Sequence, residues 1–339
     1  MNTTRPAMMQ AAFYCRSGPA REVLEIGQLP TPEPAHGEVL VRIAASGVNP
    51  HDTKKRSGWT GAPMPAGRVI PHIDGAGTIV ATGAGVASAR VGERVFVFSA
   101  NLGEHGMGTA AEYAAVPAAN AIALPADVSF AEGASLGVPA LTAYYAVLAD
   151  GPVAGQTLLV QGGAGAVGAV AVELARWNGA TVIATVSSPA KAEIARGAGA
   201  DHIIDYRTED VAARVKALTG GRGVDRIVEV DFGANLAIDA ACLKPNGVIA
   251  SYSSTRVREP AFPYYAFALL GGARIHVLQA GNLPPVVQEQ GCATIAALLR
   301  RGMLRPRLAA RFPLSDIAAA HELLESGSTT GNIVVELAS

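Results

Sequence analysis

The sequence predicts an α/β fold in which a doubly wound parallel sheet accompanies a second, β-rich domain. Three observations indicate this fold: a glycine motif between a strand and a helix, an alternation of strands and helices that continues after it, and a run of short alternating strands before it. With 339 residues the chain is long for one hydrophobic core, so two domains are expected.

Composition and charge exclude several classes of function. Half of the residues are hydrophobic and 16% are charged, so a large core can form. The net charge of −1 provides no field for binding nucleic acid or a membrane surface, and no apolar stretch is long enough to span a membrane. The three cysteines are far apart and form no C-x-x-C pair, which argues against a disulfide framework or a zinc knuckle. We expect a cytoplasmic protein that binds neither nucleic acid nor membranes.

The first part of the chain, residues 8–130, has the pattern of short strands separated by turns. Apolar and polar residues alternate at 38–44, 78–81 and 94–98, with proline and glycine between them. This pattern predicts a compact, barrel-like domain with little helix. A helix is predicted at 131–148, with a kink at Pro139, as the crossing into the second domain.

The second domain is organised around a glycine-rich turn. An apolar strand at 157–160 precedes a G-x-G-x-x-G motif, and a helix and a β-branched strand at 181–186 follow it. In this context one glycine makes the tight turn, one lets the backbone approach a pyrophosphate, and one lets the helix pack on the strand. A plain glycine-rich loop is the alternative, but the flanking elements favour a dinucleotide site at the helix N-terminus. The predicted pyrophosphate-binding residues are Gly163, Gly165, Ala166, Val167 and Gly168.

The residue about 20 positions beyond the motif distinguishes NAD from NADP. An acid there would bind the ribose 2′-hydroxyl, but the second strand ends in Ser187 and Ser188, and Lys191 follows. Two hydroxyls and an ammonium suit a 2′-phosphate, so NADPH is the predicted cofactor. A compatible alternative is that Ser188 caps a helix whose first residue is Pro189.

The alternation of strands and helices continues to about residue 279. Strands are predicted at 202–204, 224–230, 247–252 and 274–279, and helices at 209–218 and 234–243. Beyond residue 285 we expect a helix at 293–301, a segment at 305–312, a helix capped by Ser315 that ends at Ser326, and a last strand at 332–337. A lone final strand most simply returns to the first domain. We therefore assign 1–133 and 285–339 to the β-rich catalytic domain and 134–284 to the dinucleotide-binding domain.

Several short motifs occur in a specific order along the chain. They are GVNPHD at 47–52 with Gly58, PHIDGAG at 71–77, VGERV at 91–95, LTAY at 141–144, the glycine turn, GAD at 199–201 with Asp205 and Tyr206, and Gly331. In this order the chain resembles the medium-chain dehydrogenase/reductase superfamily, in its zinc-independent quinone oxidoreductase (zeta-crystallin-like) branch. The resemblance implies a Rossmann domain that binds NADPH, a GroES-like β-rich domain, and a homodimer formed near residues 262–270.

The chain differs from the zinc alcohol dehydrogenases of this superfamily at the zinc-ligand positions, and these differences indicate which reaction it can catalyse. Those relatives carry a cysteine at the position of Asn49, a His-Glu pair at Ile73 and Asp74, and a cysteine near Val138. The residues present here do not supply the nitrogen and sulfur ligands that zinc prefers, so no metal is expected. Without a Lewis acid a simple ketone is hard to polarise. A conjugated acceptor needs less polarisation, because hydride addition gives a delocalised hydroquinone or enolate.

The resemblance therefore implies hydride transfer from NADPH to a quinone as a small-molecule acceptor. A reductase of 2-alkenals, enones or enoyl thioesters is the alternative within enzymes. An NADPH-binding structural or sensing protein with little turnover is the alternative of another class.

The resemblance also implies roles for individual residues. Asn49 and Lys54 would approach the nicotinamide, although family members often carry tyrosine at the position of Lys54. Asp52 is a candidate proton donor, or alternatively holds its turn by backbone hydrogen bonds; on an extended segment it would face away from His51. Tyr206 would lie by the 2′-phosphate or adenine. Further cofactor contacts are predicted at strand ends and in the cleft: Thr142, Asp231, Tyr252, Ser253, Leu278 and Gln279.

Overall fold

The structure is a computed structural model that describes residues 6–59, 61, 64, 67–100 and 106–337. Within them the strands, numbered in chain order, are β1 (Met8–Phe13), β2 (Glu25–Pro30), β3 (Glu38–Val48), β4 (Asp74–Thr82), β5 (Arg94–Val97), β6 (Tyr113–Pro117), β7 (Ala121–Ala123), β8 (Thr157–Val160), β9 (Thr181–Val186), β10 (His202–Asp205), β11 (Val224–Glu229), β12 (Leu243–Ser251), β13 (Arg274–Val277), β14 (Leu308–Pro313) and β15 (Asn332–Glu336). The helices are α1 (Ala20–Val23), α2 (Pro50–Ser57), α3 (Phe130–Gly133), α4 (Gly137–Leu148), α5 (Ala166–Trp177), α6 (Pro189–Gly197), α7 (Val211–Leu218), α8 (Phe232–Cys242), α9 (Tyr264–Ala268), α10 (Pro285–Arg300) and α11 (Ile317–Glu325).

The described chain divides into two compact units. The first unit contains the chain up to Val138, Ala296–Arg300, and the chain from Arg305 onward. The second unit contains Pro139–Ile295 and Arg301–Leu304. None of the helices in the described ranges has the length and apolar character needed to cross a bilayer.

The first unit is built on a mostly antiparallel sheet with the order β14-β15-β3-β4-β5-β7, and β6 also pairs with β3. Alternate residues of its strands are apolar and point to one side, which buries a core that includes Val39, Val41 and Ile43 of β3. The last strand, β15, pairs antiparallel with β3, so the prediction that the chain returns to the first domain is confirmed.

The second unit contains a six-stranded parallel sheet with the order β10-β9-β8-β11-β12-β13. Numbered within this sheet alone, the order is 3-2-1-4-5-6, which is the doubly wound arrangement of a dinucleotide-binding fold. The predicted fold class is therefore confirmed. The chain order reverses between β8 and β11, and open α/β sheets bind ligands at the carboxyl ends of the strands at this point.

Several predicted element boundaries were wrong. The helix expected at 131–148 is two helices, α3 and α4, and Pro139 lies in the first turn of α4, where a missing N–H costs nothing. The helix expected at 293–301 is α10, which begins at Pro285. Ser315 does not cap α11, because it lies inside the 3-10 turn Leu314–Asp316 that precedes this helix.

The boundary between the units also differs from the one drawn from the sequence. The first unit extends to Val138 instead of 133, and the start of α10, as far as Ile295, belongs to the second unit. The reason is close packing of α10 on α4: a Cβ on Gly291 would lie 3.0 Å from side-chain atoms of Leu141 and Tyr144. A periodic pattern shows that a helix exists but does not show which core it packs on.

Candidate functional site

The glycine turn lies at the carboxyl end of β8, beside the reversal of strand order. The Gly165 N–H donates to the Gly162 carbonyl at 2.9 Å, and the Gly163 N–H donates to the Thr185 carbonyl at 3.0 Å. The Ala169 N–H donates to the Gly165 carbonyl at 2.9 Å. The amides of residues 166–168 precede this bond, so the hydrogen bonds of α5 do not use them, and they are oriented for an anion at the positive end of the helix.

The three glycines of the motif differ in the space that is available for a side chain. A Cβ on Gly168 would lie 2.2 Å from the Gly162 carbonyl oxygen, and one on Gly163 would lie 2.6 Å from the Cβ of Ala184 on β9. A Cβ on Gly165 would meet nothing closer than the Gly162 oxygen at 3.4 Å. Gly168 and Gly163 are therefore required by the fold, whereas Gly165 leaves the turn open on the side where a pyrophosphate can approach.

The end of β9 carries the residues predicted to select the cofactor. The Lys191 ammonium donates to the Ser187 hydroxyl at 3.1 Å, so these two predicted residues lie together. The Ser188 hydroxyl accepts the Lys191 N–H at 3.3 Å, which confirms Ser188 as the cap of α6. Tyr206 is exposed, and its N–H donates to the Val186 carbonyl at 3.1 Å, which places it beside the end of β9. A hydroxyl and an ammonium next to an exposed phenol suit a phosphorylated ribose.

Asp231 follows β11 and organises the next loop. Its carboxylate accepts the Thr255 N–H at 2.9 Å and the Arg256 N–H at 3.2 Å, and it pairs with the Arg256 guanidinium. Burial acts to raise the pKa of Asp231, but the hydrogen bonds from Arg256 and Thr255 outweigh it and the pKa is lowered. Asp231 therefore stays ionised and holds the loop in place.

The other predicted cofactor contacts of the second unit lie at different positions. The Ser253 carbonyl accepts the Phe232 N–H at 2.9 Å, and burial raises the pKa of the neighbouring Tyr252. The strand expected at 274–279 ends at Val277; Leu278 is buried and Gln279 is exposed. Thr142 is buried in α4. Tyr252 and Ser253 follow β12, Leu278 and Gln279 follow β13, and Thr142 lies on α4.

Asn49 lies in the first unit, between β3 and α2, and is almost fully buried. Its side-chain amide donates to a carboxylate oxygen of Asp74 at 2.8 Å, and the Val138 N–H donates to the same oxygen at 2.7 Å. The positions that hold metal ligands in the zinc relatives are thus joined here by hydrogen bonds. Asp74 was not predicted as a site residue, and it fixes the orientation of the Asn49 side chain.

Asp52 was expected on an extended segment, but it lies in the first turn of α2. The signal was present in the sequence, because Asn49, Pro50 and Asp52 stand at the N-cap, N1 and N3 positions that begin many helices. The Asp52 carboxylate accepts the Asn49 backbone N–H at 2.8 Å, which is the turn-holding role considered as the alternative. Burial and the nearby Asp74 raise its pKa to about 8.

Lys54 and His51 are also on α2. The Lys54 ammonium lies 4.5 Å from the centre of the Trp59 ring, a cation–π contact that anchors this side chain. Burial lowers the pKa of His51, and the charges of Lys55 and Lys54 lower it further. His51 is therefore neutral around pH 7.

A buried polar chain in the first unit was not predicted. His321 on α11 contacts His72 through their Nε2 atoms at 2.9 Å, the His72 Nδ1 lies 2.8 Å from the Ser46 hydroxyl, and Ser46 lies 2.7 Å from Thr109. Thr109 donates to the Asp74 carbonyl. Because the Thr109 hydroxyl proton is used in this bond, Thr109 must accept from Ser46, and Ser46 must in turn accept from His72 Nδ1. The His72 Nε2 therefore carries no proton and accepts from the Nε2 of His321.

Both histidines of this chain are neutral. Burial lowers the pKa of His72 to about 3, and burial together with the neighbouring His72 and Arg56 lowers that of His321 well below its usual value. Within the ranges that the structure describes, no group of three or more histidine, cysteine or acidic side chains is arranged so that it could hold a metal ion. Part of the lobe at 97–109, residues 101–105, lies outside those ranges.

The parallel sheet with a glycine turn at its reversal point and the separate β-rich unit define a two-unit dinucleotide-binding protein. A family model described as an alcohol dehydrogenase GroES-like domain matches residues 35–126, and one described as a zinc-binding dehydrogenase matches residues 198–335. The quinone oxidoreductase of Homo sapiens is 30% identical over 343 residues, covering 99% of this chain and 100% of that protein. The chain belongs to the medium-chain dehydrogenase/reductase superfamily, in its zinc-independent quinone oxidoreductase branch.

Two further relatives broaden the comparison. A 2-haloacrylate reductase of a Burkholderia species is 31% identical, covering 97% of this chain and 98% of that protein. The crystal structure of Escherichia coli quinone oxidoreductase complexed with NADPH superposes with a TM-score of 0.84 at 27% identity, covering 96% of this chain and 99% of that one. Similarity thus extends over both units of the chain.

Proposed function

We propose that this protein is a zinc-independent oxidoreductase that transfers a hydride from NADPH to a quinone. The observation that carries the proposal is the open glycine turn at the reversal of strand order, with the paired Lys191 and Ser187 at the end of the next strand. NADPH, when bound, supplies the hydride. The quinone oxidoreductase relatives, one of them complexed with NADPH, support the same assignment.

The first unit supplies the residues proposed to orient the acceptor. Asn49 is held by Asp74, which in turn is held by the Val138 N–H, so the amide has one fixed orientation. A quinone needs orientation and hydrogen-bond donors more than a Lewis acid. Lys54 is proposed to lie near the acceptor, and Asp52 is proposed to hold the first turn of α2 by accepting the Asn49 backbone N–H. Thr142, Tyr252, Ser253, Leu278 and Gln279 stay proposed cofactor contacts.

The second candidate is a reductase of 2-alkenals, enones or enoyl thioesters. The similarity to a 2-haloacrylate reductase favours it, because that relative is named for a conjugated carboxylate. An NADPH-binding protein with little turnover is the third candidate, and the ordered Asn49 site argues against it.

The test is NADPH oxidation by chelator-treated protein with quinones, 2-alkenals, 2-haloacrylates and simple ketones as acceptors, repeated with NADH. We expect quinones to be reduced fastest and NADPH to be preferred. Faster reduction of alkenals or haloacrylates would support the second candidate. Binding of NADPH without turnover of any acceptor would support the third, and activity that requires added zinc would contradict the metal-free assignment.

Cofactor selection is expected to depend on Lys191. Replacing it in Lys191→Ala removes a charge-assisted hydrogen bond to the 2′-phosphate, worth about 1.5–3 kcal/mol, and is expected to weaken NADPH binding by about tenfold or more. Binding of NADH should change little. Dissociation constants for both cofactors, from titration of cofactor fluorescence, measure the difference.

The control for this change is Lys216→Ala, which removes the same charge from an exposed position on α7 of the same unit. It should leave both dissociation constants unchanged. If Lys191→Ala weakens NADH and NADPH binding equally, Lys191 does not recognise the 2′-phosphate.

We further propose that the protein works in the cytoplasm as a homodimer formed by the second unit. Strand β13 is at the edge of the parallel sheet, and large apolar side chains near it are exposed: Phe262, Tyr264, Tyr265, Leu269 and Val277. Edge pairing with a second copy would cover both features. The described cysteines are free thiols, which suits a reducing compartment.

Light scattering should give the mass of a dimer, and Val277→Lys should shift it toward a monomer; a wild-type monomer at micromolar concentration would contradict the dimer.

A further inference from the structure

We propose that Glu229 and Asp239 share one proton and act as positioning residues for the glycine turn. Glu229 is the last residue of β11, and Asp239 lies on α8. In the part of the chain that the structure describes, the hydrogen bonds of these two residues go to Gln161, Asp231 and Asn235 and not to the turn itself, and neither residue was expected from the sequence to have a functional role. The inference rests on the proposed binding of NADPH by this turn.

The two carboxyl groups are fully buried, and their side chains interact with each other. Within the described residues, no donor reaches Glu229 Oε2 or Asp239 Oδ2, so a proton shared between the two carboxyl groups would satisfy both oxygens. Two ionised carboxylates have no donor between them, so a hydrogen bond requires that one of the pair carries a proton. Burial raises the pKa of both groups, because neither charge is compensated by solvent.

The surrounding donors place this proton on Asp239. The Glu229 Oε1 accepts the Asp231 N–H and also the Asn235 side-chain amide at 3.0 Å. The Asp239 Oδ1 accepts one neutral donor, the Gln161 side-chain amide at 3.2 Å. The carboxylate that accepts more hydrogen bonds is more stable in its ionised form. Glu229 is therefore the ionised acceptor, and Asp239 carries the proton and donates it.

A continuous set of hydrogen bonds links this pair to the turn. The Gln161 side-chain oxygen accepts the Thr185 hydroxyl at 2.8 Å, and the Thr185 oxygen accepts the Gly162 N–H at 3.0 Å. Both side chains are buried. Gly162 has a φ of +70° and its carbonyl accepts the Gly165 N–H, so it sets the turn that presents the pyrophosphate-binding amides. The orientation of the Gln161 amide, fixed by Asp239, thus determines how Gly162 is held.

On its other side the pair supports the loop after β12. Glu229 accepts the Asp231 N–H, and the Asp231 side chain holds Thr255 and Arg256. The titratable groups that face the pair are Asp231, Arg256, Tyr252 and Cys242. Arg256 is already paired with Asp231. Loss of the shared proton would therefore place two negative charges side by side in a buried site.

The consequence is a pH dependence of cofactor binding with a defined sign. While the proton is present, the carboxyl pair, Gln161 and Thr185 are all hydrogen-bonded and the turn is held. As pH rises and the proton is lost, repulsion separates the carboxylates and releases Gln161. The dissociation constant of NADPH is therefore expected to rise by about tenfold or more as the pH is raised from neutral into the alkaline range.

Three variants of the full chain test this inference. Asp239→Asn and Glu229→Gln each replace the shared proton by a permanent N–H, so the hydrogen bond persists at every pH. Each is expected to remove the alkaline rise in the dissociation constant. The double variant Asp239→Asn/Glu229→Gln places two amide NH₂ groups face to face with no acceptor, and is expected to weaken NADPH binding by about tenfold at every pH.

The readouts are NADPH titrations across this pH range, with the thermal unfolding midpoint of each variant recorded alongside. Asp210→Asn is the matched control: it changes the same charge at an exposed cap of α7 and should keep the wild-type pH profile. Single amide variants that keep the wild-type profile, or a double variant that binds as the wild type does, would overturn the inference. A wild-type protein that binds NADPH at no pH would contradict the proposed function instead.

Discussion

Gly168→Ala is expected to destabilise the second unit and abolish NADPH binding. The added Cβ would lie 2.2 Å from the Gly162 carbonyl oxygen and 2.9 Å from its carbon. Both are backbone atoms of the same turn, so they cannot yield without opening it. Overpacking of this kind costs about 1–3 kcal/mol or more, and here it also displaces the amides proposed to bind the cofactor. Thermal unfolding followed by circular dichroism and NADPH titration measure the two effects.

Gly165→Ala, at the N-cap of α5, provides the contrast, because it is expected to fold normally and lose affinity alone. Gly165 has a φ of −72°, which any residue adopts, and its added Cβ would meet nothing closer than 3.4 Å. The methyl group would instead occupy the open side of the turn where the pyrophosphate is proposed to approach the helix N-terminus. We expect an unchanged unfolding midpoint and an NADPH dissociation constant raised by about tenfold or more.

Gly197→Ala is the control for both changes, since it lies at the end of α6 and its added Cβ would have open space around it. It should bind NADPH as the wild type does. Two results would contradict the assigned roles of the glycines: a Gly168→Ala protein with wild-type stability, or a Gly165→Ala protein with wild-type affinity.

The glycine turn could be predicted from the sequence because its determinants are local. The strand, the glycine spacing, the helix and the Ser188 cap all lie within residues 157–191. Local hydrogen bonds and local steric limits decide the structure there. The pairing of Lys191 with Ser187 depends on a spacing of one helical turn, and was predictable for the same reason.

The polar network of the first unit could not be predicted, because it joins distant parts of the chain. Asn49 and Asp74 are 25 positions apart, Asp74 and Val138 are 64 apart, and His72 and His321 are 249 apart. Spacing along the sequence carries no signal for such contacts. Only the folded first unit brings β4, Val138 and α11 to the same buried region, and there each polar group must find a partner. The sequence indicated the absence of zinc ligands at Asn49 and Val138, but not the hydrogen bonds that stand in their place.

The free energy of unfolding of the first unit is expected to fall as pH rises from about 6.5 to about 8. Burial raises the pKa of Asp74 to about 7 and that of Asp52 to about 8, from a usual value of 3.8. A group with a raised pKa in the folded state contributes stability that is fully present below its unfolded value and is lost as pH rises through the folded value. Each group can change the free energy by about 1.4 kcal/mol per pH unit, so a total loss of about 2–3 kcal/mol is expected over this range.

The histidines define the lower limit of this pH range. The pKa values of His72, His321 and His51 are lowered, so their contribution is present above their usual value of 6.5 and is lost as pH falls. Between about pH 4 and 6.5 the histidines and the carboxyl groups therefore act in opposite directions. Above pH 6.5 the carboxyl groups act alone among these five, and the sign of the slope is unambiguous.

Asp74→Asn tests whether these carboxyl groups cause the slope. The asparagine oxygen can still accept from Asn49 and Val138, but the side chain stays uncharged. The free energy of unfolding should therefore fall less as pH rises, and at about pH 9 the variant should be more stable than the wild type. Denaturant unfolding is followed by fluorescence of Trp59 in a Trp177→Phe background, because these are the two tryptophans and Trp59 is in the first unit. Asp316→Asn, which neutralises an exposed carboxylate of the same unit, should keep the wild-type slope. A wild-type stability that is flat between about pH 6.5 and 8 would show that Asp74 and Asp52 are ionised in the folded protein throughout this range, and that the hydrogen bonds from Asn49 and Val138 suffice to hold a buried charge.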